Sequence, residues 1–487
     1  MVFCFSSYQD RNGRNRDLST LVAQRGKRCL ALVMLKKLKL NKQFTPITNL
    51  LQNLEIDEEH FTKLLLAGDL HAFEEELYQF VMTQIYDLLA TTFIQDAVAN
   101  EVFVAKMRLL AASQRMGKLQ KRPVNLQLRS GTTIKLETHY ARKVPKGLKG
   151  SRYLCFQYWG VIAEASPSYY AQVSKFSVLC GSFEIVKEVL GGLQIGGTVG
   201  RIRSLALAVA QKCLSQRVAC MLGAGESLAG KRVVISTDGG RIRTREYQAE
   251  KNEAGTHHKF ATPWREPKLF VITIIDPDGK IERTERPVYD ATFGEEGLFR
   301  LLGEYLKALN IKEVGEVQVI ADGALWIWHK AKKMLLELGV AEDKIVETLD
   351  YYHAVEHLTK VIELLPKKSE KQRKSLFHEL KGLLWEGKIK PMLEKIESQV
   401  QHLSKKLQTE IGYFEKNQCR LNYQKCREQN WLCGSGIIES GVRRMINLRF
   451  KSASCFWKQE NLDGLLFLRC ALLSGRWKFV MQTVTNF

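Results

Sequence analysis

The sequence predicts an α/β fold, a mixed five-stranded sheet with helices, carrying an all-helical insertion and preceded by a mainly helical N-terminal region. Three observations predict it. Apolar, β-branched runs of strand length stand at 232–237, 268–275, 317–321 and 344–349. Segments with helical apolar spacing alternate with the later runs. Residues 366–430 hold no convincing strand and are rich in Lys, Glu, Gln and Leu. At 487 residues, 45% hydrophobic and 26% charged, the chain has an ordinary globular composition and length for roughly two to four domains.

Residues 45–115 read as helical. Leu50, Leu51 and Leu54, then Leu64, Leu65 and Leu66, recur near helical spacing, and Ala72–Leu88 lines Phe73, Leu77, Phe80, Val81, Ile85 and Leu88 along one face. Residues 116–150 are basic and Gly-rich, with Lys118, Lys121, Arg122, Arg142, Lys143, Lys146 and Lys149, and the alternating run Thr133–Leu136 predicts a small strand. From Ser182 to Gln211 the pattern is helix, glycine pair, helix. Phe183, Val186, Val189 and Leu190 form one face; Gly191-Gly192 and Gly196-Gly197 interrupt; Val199, Ile202, Leu205 and Leu207 follow, with Arg201 and Arg203. Two readings fit: a DNA-reading helix-turn-helix near 182–211, with its arginines on phosphate or guanine edges, or a plain helical hairpin on a core.

Arg232–Thr237 ends in Asp238, and Lys268–Ile275 is a near-continuous apolar strand. Pro277-Asp278-Gly279 makes a turn after it, and Lys280–Val288 alternates as the partner strand of a hairpin. Leu298, Leu301, Leu302, Tyr305, Leu306 and Leu309 mark a helix; Val317–Ala321 is a strand ending in Asp322; Ala324–Leu338 is a helix; Lys344–Leu349 is a strand ending in Asp350. A further helix carries Ala354, Val355, Leu358, Val361, Ile362 and Leu365 on one face. Three strands that pair as a meander, followed by two joined through helical crossovers, is the layout of a ribonuclease H-like core. The expected divisions are 1–115, helical; 116–225, basic and DNA-binding; 226–365, the first part of the core; 366–430, the helical insertion; and 431–487, the remainder of the core, carrying Glu439.

The balance of 73 Lys+Arg against 52 Asp+Glu, a net +21, draws polyanions and points to nucleic acid as partner. No stretch approaches the ~20 consecutive apolar residues of a membrane helix, so no membrane partner is expected. The run Leu30–Leu35, between Arg28 and Lys36, is too short for a secretory signal, residues 1–20 differ in composition from the rest of the chain, and Met34 is a second candidate start. Eleven cysteines without a dense even spacing read as reduced thiols of a cytoplasmic protein.

Asp238 and Asp322 each close a run of buried β-branched residues, an unfavourable place for a carboxylate unless a divalent cation compensates it. In the predicted sheet the first and fourth strands are neighbours, which brings these aspartates together. Glu439, near the start of a helix opened by Gly434-Ser435-Gly436, supplies a third carboxylate. Consecutive members stand 84 and 117 residues apart, so only folding assembles them. Hard oxygen ligands select Mg2+ or Mn2+, and two such ions suit in-line phosphodiester displacement. Each residue also has an ordinary reading: Asp-Gly after a strand is a turn, and Glu439 with Arg443 is a helical ion pair. Asp350 and His353 form a polar pair at the same sheet mouth, either supporting the metal shell or positioning a nucleotide, or with Asp350 simply capping its helix. Trp326, Trp328 and Trp457 read as core residues, with stacking on splayed bases the alternative.

Four segments resemble the DDE-type insertion-sequence transposases, closest to the ISKra-type group. They are Ser236-Thr237-Asp238-Gly239-Gly240-Arg241; Ala321-Asp322-Gly323-Ala324-Leu325-Trp326-Ile327-Trp328; Leu349-Asp350-Tyr351-Tyr352-His353-Ala354-Val355-Glu356-His357-Leu358; and Gly434-Ser435-Gly436-Ile437-Ile438-Glu439-Ser440. Arg449-Phe450-Lys451, Trp457, Leu465–Arg469 and Gly475-Arg476-Trp477 resemble the family's tail. The resemblance implies a ribonuclease H-like core with Asp238, Asp322 and Glu439 as metal ligands, an Asp-x-x-His element at Asp350 and His353, and recognition of terminal inverted repeats by the N-terminal half. Family members often carry paired Cys-x-x-Cys elements. Here Cys155 is followed by Phe156-Gln157-Tyr158 and no Cys-x-x-Cys occurs, so no zinc is expected. Cys419, Cys426 and Cys433, every seventh residue, read as one helix face.

The expected activity is therefore Mg2+- or Mn2+-dependent cleavage and strand transfer during DNA transposition. Arg201, Arg203, Lys118, Lys121 and Arg122, with Arg443, Arg444, Arg449 and Lys451 beside Glu439, are the expected contacts to double-stranded DNA, both element ends and target. A homodimer or higher oligomer on DNA, in a bacterial cytoplasm and nucleoid, completes the expectation. The alternatives are a metal-dependent nuclease without strand transfer and a non-catalytic, transposase-derived DNA-binding protein.

Overall fold

In a computed structural model, residues 57–142, 151–251, 256, 258–366, 369–452 and 455–485 are described, together with a short antiparallel pair, β1 (Ser7–Gln9) and β2 (Asn15–Asp17). Leu30–Leu35, Met34, Leu50, Leu51, Leu54, Lys143, Lys146 and Lys149 lie outside the described residues. The chain divides into two compact units, Met1–Tyr169 with Leu190–Gly196, and Tyr170–Val189 with Gly197–Phe487.

In the first unit, helices α1 (Glu58–Leu66), α2 (Leu70–Phe80), α3 (Asp87–Ala99) and α4 (Glu101–Ser113) precede an antiparallel sheet. Three begin on side-chain caps that satisfy free backbone N–H groups: Asp57 accepts from His60 N, Asp69 from Ala72 N, and Asn100 from Val102 N and Phe103 N. The sheet runs β3 (Gln120–Gln127), β4 (Thr133–Arg142), β5 (Ser151–Tyr153), with Val124 opposite Leu136. The strand expected at Thr133–Leu136 thus extends to Arg142. Helix α5 (Leu154–Tyr158) closes the core, where Val98, Met107, Ala111, Val124, Leu126, Leu136 and Leu154 pack together and Phe103 stacks on Trp159.

The second unit takes most of α6 (Pro167–Leu179) and α7 (Phe183–Gly192), then α8 (Val199–Leu214) and α9 (Arg217–Met221). Gly191 and Gly192 do not break the helix pair; they are the last residues of α7, and the chain turns at 193–198. The centre is a mixed sheet of β6 (Arg232–Gly239), β11 (Pro267–Ile275), β12 (Val288–Phe293), β13 (Glu316–Ala321) and β14 (Ile345–Leu349), in the order β12-β11-β6-β13-β14. β6 runs parallel to β13, and β13 to β14, while β11 is antiparallel to both β6 and β12. Between β6 and β11 lie two small pairs, β7 (Ile242–Arg243) with β10 (Trp264–Arg265), and β8 (Glu246–Lys251) with β9 (His258–Ala261).

The hairpin expected at Lys280–Val288 is displaced. Ile281 makes one bridge to Ile275, after which Glu282, Arg283, Thr284, Glu285 and Arg286 offer nothing apolar to bury and Pro287 has no N–H to give a ladder. The strand that pairs with β11 begins at Val288, where Val288, Tyr289, Asp290 and Ala291 are all buried.

Helix α10 (Glu295–Ala308) buries Leu298, Phe299, Leu301, Leu302, Tyr305 and Leu306 against β11 and β12. Helices α11 (Leu325–Glu337) and α12 (Tyr351–Leu364) follow β13 and β14. Then come α13 (Glu370–Trp385), α14 (Ile389–Glu397), α15 (Lys405–Lys416) and α16 (Tyr423–Glu428), followed by α17 (Gly436–Gly441), a π-helical turn at Val442–Asn447, α18 (Leu448–Phe450), α19 (Gln459–Leu473) and α20 (Trp477–Thr485). Buried from Gly464 to Ala471, α19 packs on β12 and α8. With helices on its faces, the sheet buries both sides of its strands, which is why they read as continuous apolar runs.

One helix face does not hold Cys419, Cys426 and Cys433. Cys419 sits in a 3-10 turn at Gln418–Arg420, Cys426 in the six-residue α16 packed on Val234, Ile320 and Trp431, and Cys433 in the loop beyond. A helix spanning all three is cut short because Asn417 and Asn422 begin new turns. Among the described residues, no single helix is long and apolar enough to cross a membrane.

Candidate active site

The register fixes the site. Val319 and Ile320 of β13 lie opposite Ile235 and Ser236 of β6, and Ala321 lies opposite Leu349 of β14. Three adjacent parallel strands therefore end at one edge, and Asp238, Asp322 and Asp350 stand at those three carboxyl ends. Open α/β sheets place ligands at that edge. Glu439 comes from α17, which packs against β6 and β11. Close approach is built in at Gly240, where an added Cβ would meet the Ile446 side chain at 2.9 Å.

Asp350 is fully buried and tied at both oxygens. Oδ1 accepts from His353 N at 2.9 Å, the N-cap of α12, and Oδ2 accepts a short hydrogen bond from Ser435 N, one residue before α17. The same carboxylate thus caps one helix and anchors the start of the helix carrying Glu439. Tyr351 N donates to Cys433 O at 2.9 Å and fastens the two segments again. His353 Nδ1 lies 3.4 Å from Asp350 Oδ1, at ion-pair distance, and no hydrogen bond satisfies this buried nitrogen.

One ligand atom each of Asp350, His353 and Glu439 lie within 4.8 Å of one another, a group able to hold a metal ion. This group is not the expected trio: among the described residues, Asp238, Asp322 and Glu439 are not a set whose ligand atoms all lie that close together. The reason is local. Asp238 Oδ1 accepts from Gly239 N at 2.6 Å and Asp322 Oδ1 from Ala324 N at 3.0 Å, so each carboxylate turns to a nearby N–H. Two carboxylates without a cation between them repel. Asp238 still belongs to the same electrostatic cluster. Burial raises its pKa, and Asp322 and Glu439 raise it further, against the opposing Gly239 N–H and His353.

Burial also works against the Asp350 carboxylate, but the His353 side chain and the N–H groups of His353 and Ser435 outweigh it and hold Asp350 at about 2. The adjoining Asp350 raises His353 to about 9 despite partial burial. The carboxylates of Asp350 and Glu439 beside His353, with those of Asp238 and Asp322 at the neighbouring strand ends, offer mainly hard oxygen donors, which suit a hard divalent cation better than a soft one. Among the described residues no ion pair joins Glu439 to Arg443.

Tyr413 of α15 was not foreseen. An added Cβ on Gly323 would stand 2.2 Å from its ring, so the glycine after Asp322 makes room for it. Its hydroxyl is buried without a hydrogen-bond partner, and burial, then Asp322 and Asp350, raise its pKa. The ring stacks on His357 at 3.6 Å, and His357 Nδ1 meets Glu410 Oε2 at 2.6 Å. Nothing in the spacing links residue 413 to 322. A second unforeseen cluster lies deeper: Arg217 Nε donates to the fully buried Asp290 at 2.6 Å, Nη1 to Asp463 at 3.1 Å, and Tyr305 donates to Asp290 at 2.9 Å.

The expected DNA contacts divide. Lys118, Lys121, Arg203, Arg443, Arg444 and Lys451 are exposed, and Arg122 and Arg201 half-buried. Arg449 is not a surface contact. At 1% exposure its guanidinium donates to Ser177 O at 3.0 Å and Gly181 O at 2.8 Å and stacks on Trp457, so it holds backbone carbonyls that would otherwise lie buried and unpaired. Trp328 is buried, Trp326 packs on Phe299, and Trp457 is enclosed by Phe183, Phe450 and Arg449.

Fold and site define a mixed α/β protein with a carboxylate–imidazole cluster at the carboxyl edge of its central sheet. No protein-family model matches the chain, and no curated protein matches it. Among solved structures it is similar to the Drosophila P element transposase strand transfer complex. The identity is 13%, over 66% of this chain and 84% of that one, with a TM-score of 0.24. A superposition that loose fixes neither the finer fold nor the chemistry.

Proposed function

We propose that this protein is a DDE-type DNA transposase with a ribonuclease H-like core, binding element ends and catalysing divalent-metal-dependent cleavage and strand transfer. The observation that carries the reading is the arrival of Asp238, Asp322 and Asp350 at the carboxyl ends of three adjacent parallel strands, with Glu439 brought beside Asp350 and His353 by α17. The net charge of +21 and the resemblance of four motif segments to ISKra-type transposases support it.

Asp238, Asp322 and Glu439 are the proposed metal ligands, with Asp350 and His353 at the same mouth. Bound Mg2+ or Mn2+ would activate an attacking hydroxyl and stabilise the leaving oxygen. Asp350 acts as a positioning residue, holding Glu439 and the imidazole in place through Ser435 and His353. With Nδ1 facing Asp350, which favours the protonated imidazole, His353 would present Nε2 to a phosphate oxygen. Arg201, Arg203, Lys118, Lys121, Arg122, Arg443, Arg444 and Lys451 are the proposed DNA contacts; Arg449 is withdrawn from them. Joining two ends requires at least a dimer on DNA, in the bacterial cytoplasm.

The test is a cleavage and strand-transfer assay on DNA taken from the flanks of the gene, in Mg2+ or Mn2+. Wild-type protein should produce nicked and joined products, and Asp322→Ala should lose both by at least about 100-fold. Shortened strands without joining would establish the nuclease reading instead. Full activity in Asp322→Ala would remove the catalytic assignment.

A further inference from the structure

The first unit contains a cavity of about 450 Å³ that the proposed chemistry does not use. Its walls come from α4, through Val104, Arg108, Ala111 and Ala112, from Met116–Gln120, and from the facing strand residues Lys121 and His139. Arg108, Lys118 and Lys121 are exposed at its rim, and no acidic residue lines it. Among the described residues none of these three cations has an ion-pair partner. His139 lies directly opposite Lys121 in the β3–β4 ladder, so the two side chains share a face.

His139 is 3% exposed, and its Nδ1 has no hydrogen-bond partner. A buried polar nitrogen left unpaired carries a desolvation penalty, so it marks a place where a partner group belongs. Burial lowers the imidazole pKa, and Lys121 and Arg108 lower it further, which puts both cations within electrostatic reach of the ring. Three cations without an ion-pair partner among the described residues, beside His139 and apolar walls in one recess, suit a compact anion with several acceptor oxygens.

We propose that this cavity binds a phosphate group, with Arg108, Lys118 and Lys121 supplying the charge and His139 the buried hydrogen-bond partner. The phosphate comes either from the DNA backbone or from a free phosphate ester. In the first case the inference deepens the DNA-binding reading by naming the recess into which one backbone phosphate is inserted; in the second it is independent of it. Neither case depends on the carboxylate cluster.

The experiment uses the full chain. Inorganic phosphate is titrated calorimetrically, and duplex DNA by fluorescence anisotropy over a range of salt, in wild type, in the surface double variant Arg108→Gln/Lys121→Gln, and in Asp322→Ala. Wild type should bind phosphate saturably, the double variant at least tenfold more weakly with an unchanged thermal midpoint, and Asp322→Ala normally. If duplex affinity also falls and its salt slope shrinks by about 1–2, the source is the DNA backbone. Unchanged duplex affinity with lost phosphate binding assigns a free phosphate ester. The proposal is overturned if phosphate does not saturate and duplex affinity is the same in both proteins, or if the double variant binds both as wild type does. Phosphate binding without any Mg2+-dependent cleavage would reject the proposed reaction and leave this site standing.

Discussion

Single residues carry several of the sharpest commitments. Asp290 is wholly buried and answered by Arg217 at 2.6 Å, so removing the guanidinium strands a carboxylate in the core. Arg217→Met should therefore cost about 3–5 kcal/mol in urea unfolding, and adding Asp290→Asn should recover part of that loss. A single-variant cost below about 1 kcal/mol would show that water reaches Asp290 after all. His139 makes a pH prediction. Its folded pKa lies below its ordinary 6.5 because the ring is buried near two cations. The folded state then resists taking up a proton that the unfolded chain accepts. The contribution is fully present above 6.5 and is lost as pH falls through the folded value. Urea midpoints measured from pH 7.5 down to 5 should drop more steeply in wild type than in His139→Asn; parallel slopes would contradict it. Arg449 shows why residue roles are the hardest to read in advance. A basic residue beside Lys451 looks like a phosphate contact, and only the folded chain shows that its guanidinium is committed to Ser177 O and Gly181 O.

At the scale of elements the sequence was most legible where both faces of a strand are buried, because runs such as Val233–Ile235 and Val319–Ala321 are continuously apolar. Strand ends, and with them Asp238, Asp322 and Asp350, followed directly. The segment after Ile275 was less legible, since Ile281 supplied one apolar residue of an apparent alternation that the following charged residues and Pro287 do not sustain. Contacts between distant segments left no trace in spacing at all. Ser435 reaching Asp350 and Tyr413 reaching Gly323 are of this kind. The second can be tested. Gly323→Ala places a methyl 2.2 Å from the Tyr413 ring and should destabilise by about 1–3 kcal/mol, while Gly323→Ala/Tyr413→Leu should be less destabilised than the two single changes summed. Strict additivity in thermal or urea unfolding would mean that α15 does not press on the Asp322 turn.

For the molecule as a whole, the proposed function requires two properties to coexist: a basic surface for DNA and an acidic cluster for metal. The first predicts that duplex affinity falls steeply and log-linearly with salt, by counterion release, with a slope of about −0.9 per phosphate engaged. A flat response in an anisotropy titration would deny a phosphate-tracking surface. The second is the more demanding, because in the structure Asp350, His353 and Glu439 converge while Asp238 and Asp322 rest on neighbouring N–H groups. A cation entering the cluster would meet two carboxylates whose Oδ1 atoms are already held by Gly239 N and Ala324 N. The most direct test counts ions: titrate the full chain with Mn2+, follow free Mn2+ by electron paramagnetic resonance, and repeat with Glu439→Gln and Asp238→Asn. Saturable binding in wild type, weakened at least about tenfold in each variant, is the predicted result. Identical binding curves for all three proteins, or none in the wild type, would contradict it.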